Sequence, residues 1–209
     1  MHIDLGKLKK EQLKLQRSII TKDEFEKADL LGGCDFAQYD KKIVCIIVVY
    51  DVKEKRIIET KTAIVDETFP YVPSFLYYRY GAAVLDAYQK LHTRPDILMI
   101  HGHGRLHPLR IGLASHIGLA LDIPTIGVAQ KLLCGEIRSG FVYLHENKVG
   151  ASLQTREFSN PVFVSSGYKV SLKTAMQLVR DNCITPHKMP EPLHIAHKLV
   201  SKLKGEKNE

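Results

Sequence analysis

Two patterns of apolar and polar positions divide the chain. In the amino-terminal third, apolar runs alternate with short polar segments of the kind that form hairpin turns. These runs predict three strands, at residues 30–37, 43–50 and 56–65. Because each hairpin turn reverses the chain, the three strands are expected to pair antiparallel.

From residue 73 onward, helical and strand patterns alternate. Helices are predicted at 74–91 and 109–121, with strands at 97–100 and 125–128, which is typical of parallel strands joined by crossover helices. The other predicted elements are an amphipathic helix at 5–19, a hairpin at 141–144 and 149–153, an apolar segment at 162–167, and helices at 171–183 and 192–203. The sequence therefore predicts an α/β fold with a mixed central sheet, antiparallel in its first three strands and then parallel, flanked by helices.

Composition and charge narrow the class of protein. The chain has 209 residues, 44% of them hydrophobic, and no repeat or linker divides it, so we expect one domain over residues 1–209. Its formal net charge of +7 favours a polyanionic partner, because clustered Lys and Arg bind phosphates. The scattered cysteines, Cys34, Cys45, Cys134 and Cys183, argue against disulfides and against a zinc site. Without an apolar run of about 20 residues or a signal peptide, we expect a cytoplasmic monomer outside the membrane.

The first candidate for chemistry is Asp35, in the segment Gly32-Gly-Cys-Asp-Phe-Ala. A carboxylate inside an apolar strand is unfavourable unless a cation or a hydrogen-bond donor meets it, which indicates a functional group. The alternative is that Asp35 caps a turn at the end of the strand. In a mixed sheet of this order, functional side chains are expected where strand ends meet.

A turn rich in histidine and glycine follows the strand at 97–100. His101, His103 and His107 either bind a metal through a ring nitrogen or protonate a leaving oxygen, although their spacing matches no standard zinc motif and structural roles are the alternative. Gly102 and Gly104 lack side chains, so a ligand can approach the backbone closely there. The step from His107 to the following proline is expected to open the next helix, whose amino terminus suits a phosphate.

A third candidate is the aromatic loop before the helix at 74–91. Pro70 and Pro73 stiffen a segment that carries the ring of Tyr71. Such a ring suits a wedge that enters a base stack and holds an extruded nucleotide open. The alternative is a helix entry whose aromatic side chains join the core.

Together these segments resemble the endonuclease V family over nearly the whole chain. The matching blocks are Gly33-Cys-Asp35, Pro70-Tyr71-Val-Pro73, Gly102-His-Gly104 with His107-Pro108, Gly112-Leu-Ala-Ser-His-Ile-Gly118, Ile123-Pro-Thr-Ile-Gly-Val-Ala129, Pro190-Glu-Pro192 and Ala196-His197. The resemblance implies a ribonuclease H-like fold and a role in repair of deaminated DNA. It further implies recognition of hypoxanthine, as in deoxyinosine, and Mg²⁺-dependent cleavage of the second phosphodiester bond on its 3′ side. In some relatives the substrate is inosine-containing RNA.

The resemblance also implies a role for each matching residue. It makes Asp35, His107 and His197 catalytic residues, and it makes Asp35 and His101 the metal site. The residues implied in DNA binding are Tyr71, Leu76, Gly102, Gly104 and Gly112.

The active site departs from the family pattern at several positions. Tyr80 and His101 stand where carboxylates are expected, and Gln130 stands where a lysine is expected, with Lys131 one place later. On a helix or a strand, Lys131 would point away from the site. Since Mg²⁺ prefers oxygen ligands, its affinity is expected to fall, and His101 is expected to favour Mn²⁺ or another ion that accepts imidazole.

Three hypotheses about activity stay open at this point. The first is an endonuclease that recognises deoxyinosine and cuts with Mg²⁺ or Mn²⁺. The second is a catalytically impaired homologue that binds inosine-containing DNA or RNA without cutting it. The third is a different histidine–metal enzyme on the same fold, whose binding ignores inosine.

Overall fold

A mixed sheet of nine strands runs through the part of the chain that the structure describes. The structure is a computed structural model that describes residues 3–206, so the two ends of the expected single domain, residues 1–2 and 207–209, lie outside the described residues. The strands are β1 (Leu30–Tyr39), β2 (Lys42–Asp51), β3 (Arg56–Asp66), β4 (Ile97–His101), β5 (Thr125–Ala129), β6 (Glu136–Arg138), β7 (Phe141–Leu144), β8 (Asn147–Leu153) and β9 (Val162–Tyr168). Their order across the sheet is β3-β2-β1-β4-β5-β9-β8-β7-β6.

The strand directions agree with the prediction. β1, β2 and β3 pair antiparallel in succession, whereas β1, β4 and β5 pair parallel. β9 then joins β5 in the antiparallel direction, and β8, β7 and β6 extend that edge as antiparallel strands. The expected α/β class with a mixed sheet, as in a ribonuclease H-like fold, is confirmed.

Helices cover both faces of this sheet. They are α1 (Leu5–Leu15), α2 (Leu76–Gln89), α3 (Leu113–Leu121), α4 (Leu172–Asp181) and α5 (Glu191–Glu206), with 3₁₀ turns at Gln16–Ser18 and Pro73–Phe75. α2 and α3 pack on one face, around a core that includes Cys34. α4 and α5 pack on the other face, around a core that includes Leu31. Since successive side chains of a strand point to opposite faces, β1 turns Gly33 and Asp35 toward α5.

Three elements differ clearly from the prediction. The amphipathic helix predicted at 5–19 ends at Leu15 as α1, and a 3₁₀ turn follows it at Gln16–Ser18. α3 begins at Leu113 rather than at residue 109, because Arg110 has a φ of 56°, which is left-handed, and Gly112 is the N-cap residue. The expectation that the step from His107 to proline opens a helix is therefore wrong, and no helix amino terminus lies there. The short strand β6 was not predicted, because all three of its residues are exposed and show no apolar alternation.

Candidate active site

A cleft of about 630 Å³ opens where the carboxyl ends of β4 and β5 lie beside β1. The cleft is lined by Asp35 of β1, His101 of β4 and His197 of α5. The aromatic loop with the first turns of α2 forms one wall, and the segment after β5 forms another. The structure therefore brings the predicted site residues Asp35, His101 and His197 together where these strand ends meet.

Asp35 lies at the centre of a hydrogen-bonded triad. Its Oδ1 contacts Nδ1 of His101 at 2.9 Å, and its Oδ2 contacts Nδ1 of His197 at 2.7 Å. The backbone N–H of Phe36 donates a third bond to Oδ1 at 2.8 Å. Asp35 is only 3% exposed, so these three donors satisfy a carboxylate that burial would otherwise disfavour.

The hydrogen bonds also set the charge state of Asp35. Burial raises the pKa of this carboxyl, but the bonds from His101, His197 and the Phe36 backbone outweigh burial, so the pKa lies below its ordinary value of 3.8. Asp35 is therefore ionised at neutral pH. Because an ionised carboxylate only accepts hydrogen bonds, Nδ1 of each ring must carry a proton toward Asp35, and Nε2 of each ring takes no part in these two bonds.

Gly33 lets α5 approach β1 closely enough for His197 to contact Asp35. A Cβ atom at residue 33 would lie 2.1 Å from the carbonyl carbon and oxygen of Pro192, in the first turn of α5. Only glycine permits this close approach of the helix to β1. Asp35 lies two residues further along the same face of β1, and His197 lies further along α5, so the packing at Gly33 brings the two together.

The positions that depart from the family pattern lie in the same cleft. Tyr80 stacks on Phe36 with ring centroids 4.2 Å apart, and burial raises the pKa of its phenol above 10.0, so it brings no negative charge. β5 ends at Ala129, and both Gln130 and Lys131 line the cleft from the bend that follows. Lys131 lies on neither a helix nor a strand, so the expectation that it points elsewhere does not apply.

The donor atoms do not suit Mg²⁺. Asp35, His101 and His197 offer one carboxylate and two imidazoles whose ligand atoms all lie within 4.8 Å of one another. Among the described residues that line the cleft, Asp35 is the sole acid. Mg²⁺ requires octahedral coordination by hard oxygen ligands, and it gains little from neutral nitrogen donors. The set suits a divalent ion that accepts nitrogen.

The predicted wedge lies at the mouth of the cleft. The Tyr71 side chain lines the cleft and is 63% exposed. The loop that carries it is held by Arg79, which is nearly buried and whose guanidinium contacts Glu67 Oε1 at 2.7 Å, Gln38 Oε1 at 2.7 Å and the carbonyl of Phe69. Sequence reasoning missed Arg79, for which the available signal was a lone cation inside the apolar start of α2.

Leu76 and Gly102 line the cleft with Tyr71. A Cβ atom at Gly102 would meet only the Leu113 side chain, at 3.5 Å or more, which is an ordinary contact. Packing within the protein therefore does not demand glycine at position 102. The missing side chain leaves room on the cleft side.

The other predicted residues lie outside the cleft. His107 is 2% exposed; its Nε2 contacts the carbonyl of Ser74 at 3.0 Å, and its Nδ1 accepts from the Leu109 N–H at 3.1 Å. Burial lowers the pKa of His107 to about 4, so the ring is neutral. Gly104 and Gly112 pack against backbone, since added Cβ atoms would lie 2.1 Å from the Ser166 oxygen and 2.4 Å from the His103 oxygen.

His103 does line the cleft, between the triad and His107. Burial and the neighbouring His107 and His101 lower its pKa to about 4, against a hydrogen bond to the Lys131 backbone. Its Nδ1 is buried without a hydrogen-bond partner among the described residues. His103 is therefore a neutral ring with one free nitrogen.

Within residues 3–206, no helix has the length and apolar character needed to cross a membrane.

The chain is similar in sequence and in structure to known proteins. The family model for endonuclease V matches residues 13–198. Endonuclease V of Dictyoglomus turgidum is 38% identical over 208 residues, covering 93% of this chain and 91% of that protein. The crystal structure of endonuclease V from Streptomyces avermitilis superposes with a TM-score of 0.88 at 28% identity, covering 100% of this chain and 96% of that one.

A structure with nucleic acid is also similar. Endonuclease V of Ciona intestinalis, crystallised with a 24mer DNA containing an inosine followed by a ribo-adenosine, superposes with a TM-score of 0.85 at 25% identity, covering 98% of this chain and 99% of that one. The match of the family model over most of the chain, together with relatives of this identity and coverage, decides the assignment. The chain belongs to the endonuclease V family.

Proposed function

We propose that the protein acts in repair of deaminated bases by binding a deoxyinosine-containing strand in this cleft. We further propose that it hydrolyses the second phosphodiester bond on the 3′ side of the hypoxanthine. The observation that carries the proposal is the continuity of one cleft from the exposed Tyr71 ring to the triad of Asp35, His101 and His197. A wedge and a hydrolytic centre on one surface are what a nuclease needs to recognise a base and cut beside it.

The wedge supports recognition of an extruded base. The Tyr71 ring is 63% exposed, and the contacts of Arg79 with Glu67 and the Phe69 carbonyl hold its loop in place. A ring presented rigidly loses little conformational freedom when a base stacks on it, and such stacking contributes about 1–3 kcal/mol per base. Gly102 leaves space inside the cleft for the base edge.

Charge supports a nucleic-acid strand as the ligand. The chain carries a formal net charge of +7, and Lys131 lines the cleft wall. Binding of phosphates to such a surface releases their condensed counterions into solution, so affinity should fall as salt rises. The same surface accepts DNA or RNA, because both carry the phosphate backbone that such contacts bind.

The triad supports hydrolysis by water. Asp35 holds the ring of His197 through Nδ1 at 2.7 Å, so Nε2 is left to take a proton from an attacking water. The His197 side chain is 54% exposed, which gives water access to it. His101, bonded to the other oxygen of Asp35 at 2.9 Å, is a second ring for proton transfer or charge stabilisation.

For His107 we propose a positioning role in place of the catalytic role that the resemblance implies. Both of its ring nitrogens are engaged, and the bond from Nε2 to the Ser74 carbonyl ties the turn after β4 to the start of the wedge helix α2. Gly104 and Gly112 act in the same way, by letting backbone segments beneath the cleft pack closely.

A second candidate function is binding of inosine-containing DNA or RNA without cutting. The observation that favours it is the donor set, since Tyr80 and His101 stand where carboxylates are expected and Asp35 is the sole acid among the described cleft residues. Tyr71 and Gly102, which we propose contact the base, are not members of this set of metal donors.

Binding and nicking are measured in parallel on labelled strands that carry one deoxyinosine, one adenosine at the same place, or one inosine in RNA. Chelator, Mg²⁺, Mn²⁺, Co²⁺ and Zn²⁺ are each tested. Deoxyinosine-selective binding with nicking that Asp35→Asn abolishes supports the endonuclease. Selective binding without nicking under every condition supports the second candidate. Equal binding to inosine and adenosine strands refutes both.

The triple variant Tyr80→Glu, His101→Asp and Gln130→Lys tests the chemistry directly. It restores two carboxylates and the lysine, so nicking with Mg²⁺ should appear or rise, whereas binding of the inosine strand should change little. Arg138→Gln, a change on the distant exposed strand β6, is the matched control. If the triple variant and the control respond to Mg²⁺ alike, the replaced residues do not explain the metal dependence.

We propose further that the protein acts as a monomer and folds as one domain. The sheet is continuous, because each of the nine described strands pairs with the next one in the order, and this supports a single cooperative unit. Light scattering on the purified chain tests the first statement, and a single unfolding transition seen by two probes tests the second.

A further inference from the structure

We propose that Asp35, His101 and His197 bind one divalent first-row transition ion, of the kind represented by Mn²⁺, Co²⁺ and Zn²⁺, in preference to Mg²⁺. The proposal extends the proposed function, since the ion would lie on the floor of the cleft in which the nucleic-acid strand is bound. Because Nδ1 ligation would leave the proton of each ring on Nε2, activation of water would pass from His197 to the ion in the metal-bound form. The proposal concerns the free protein, however, and can be tested without any nucleic acid.

The first argument is the spacing of the donor atoms. Nδ1 of His101 lies 2.9 Å from Asp35 Oδ1, and Nδ1 of His197 lies 2.7 Å from Asp35 Oδ2. Adjacent ligands on an octahedral ion with bonds of about 2.1 Å are ~3 Å apart. All three donor atoms lie within 4.8 Å of one another, so an ion needs little movement to replace the protons that now join them.

The second argument is the independent support of each ligand. His101 ends β4, whose backbone pairs with Val128 of β5, and Asp35 is held by the Phe36 N–H. His197 is placed by α5 through the close contact of Gly33 with Pro192. The two rings are nearly perpendicular, at 84°, with centroids 5.8 Å apart, so they approach the carboxylate from different directions. A preorganised site of this kind binds an ion without reordering the chain.

The third argument is the chemistry of the donors. Two imidazoles and one carboxylate, with positions left open for water or substrate, form the set that first-row transition ions accept. Mg²⁺ gains from charge and hard oxygen, of which this set offers one carboxylate. Tyr80 adds a neutral phenol and no charge.

A further observation concerns His101 itself. In histidine, Nδ1 is bonded to Cγ, as Oδ is in aspartate, so the two donors stand the same number of bonds from the backbone. The histidine at the end of β4 therefore offers its Nδ1 where an aspartate would offer an oxygen. The replacement changes the kind of donor and its charge while it keeps the donor's place.

Equilibrium dialysis of the full chain, stripped with chelator, tests the proposal against Mg²⁺, Mn²⁺, Co²⁺ and Zn²⁺. We expect one Co²⁺ or Zn²⁺ per chain, bound at least roughly 10-fold more tightly than Mg²⁺, and a Co²⁺ absorption band typical of nitrogen ligation. His101→Ala and His197→Ala should each weaken Co²⁺ binding by roughly 10-fold or more. His92→Ala, at an exposed histidine outside the cleft, should bind as the parent does.

A second control removes a competing cluster. His187 contacts Glu191 at 2.7 Å and stacks on His194 at 3.5 Å, so His194→Ala shows whether Co²⁺ binds there. If a ligand variant fails to fold, imidazole NMR of the parent decides, because Zn²⁺ should shift the lines of His101 and His197 and leave that of His92 in place.

The proposal is overturned if Mg²⁺ binds as tightly as Co²⁺, if the ligand variants match His92→Ala, or if Zn²⁺ leaves the lines of His101 and His197 unmoved. These outcomes are separate from those of the proposed function. Inosine-selective binding in chelator tests recognition alone, and it can succeed or fail whatever the metal result.

Discussion

Replacing Gly33 with alanine should both destabilise the fold and open the triad. The added Cβ would lie 2.1 Å from the carbonyl carbon and oxygen of Pro192, whereas unstrained carbon contacts lie at about 3.5–4.0 Å. The start of α5 must therefore withdraw from β1 by roughly 1 Å or more. Overpacking of this kind costs about 1–3 kcal/mol. For a chain of this length the melting temperature should fall by roughly 2–12 °C.

The same movement acts on the site through His197. Its bond to Asp35 is 2.7 Å long, and a withdrawal of this size stretches it to the limit of hydrogen bonding or beyond. Co²⁺ affinity should then fall toward that of His197→Ala, at least roughly 10-fold.

Thermal unfolding and Co²⁺ titration of Gly33→Ala, measured beside Gly102→Ala, provide the assay. A Cβ at Gly102 meets nothing closer than 3.5 Å, so Gly102→Ala should melt within about 1 °C of the parent. If Gly33→Ala keeps the parent's melting temperature and Co²⁺ affinity, the close approach of α5 is not what positions His197.

Three further predictions concern the cleft and its surroundings. Tyr71→Ala should weaken binding of the inosine strand by roughly 10- to 100-fold with no change in melting temperature. Tyr71→Phe keeps the ring and should bind as the parent does, so equal weakening in both variants would exclude stacking as the cause. Gly102→Ala should lower affinity for the inosine strand while leaving stability intact, as fluorescence anisotropy and thermal unfolding would show, and unchanged affinity would mean that the base does not approach residue 102. The free energy of unfolding should fall as pH drops from about 6.5 to about 4. Burial lowers the pKa of His103, His107 and His116 from 6.5 to about 4 in the folded chain. The unfolded chain therefore takes up these protons at higher pH than the folded chain does, and acid favours unfolding. The slope should approach about 1.4 kcal/mol per pH unit for each histidine, and a flat profile in urea unfolding between these pH values would contradict the assignment of neutral buried rings.

The sequence predicts the sheet and the triad for different reasons. Strand pairing follows from apolar runs and short turns, so the antiparallel β1–β3 and the parallel β4 and β5 could be read directly from the pattern. Asp35 could be singled out because a carboxylate inside an apolar strand needs a partner. His197 was found only through the family resemblance, because nothing in the local pattern of α5 separates it from an exposed helical histidine.

What the sequence did not predict depends on local backbone conformation and on contacts between distant segments. The start of α3 at Leu113 follows from a left-handed Arg110, which no periodicity reveals. Lys131 lines the cleft together with Gln130 because β5 ends at Ala129, so neither side chain follows the alternation of a strand. The burial of His107 follows from its bond to Ser74, 33 residues away in the chain.

Backbone packing sets where each donor of the triad lies, and the side chain at that position sets which kind of donor atom is offered. β4 is held by pairing with β1 and β5 on its two sides, and α5 is held against β1 at Gly33, whichever residue stands at position 101. Because Nδ1 of a histidine and Oδ of an aspartate branch from the same Cγ position, His101→Asp should change which ion binds without moving the strand. That variant should lose Co²⁺ affinity and gain Mg²⁺ affinity in dialysis. Without an ion it should melt lower, because the buried Asp35 loses a hydrogen-bond donor and gains a second carboxylate beside it, and saturating Mg²⁺ should bring its melting temperature back toward that of the parent. If instead it binds neither ion and melts lower with Mg²⁺ present as well, the hydrogen bond between His101 and Asp35 serves the fold, and the triad is a structural network.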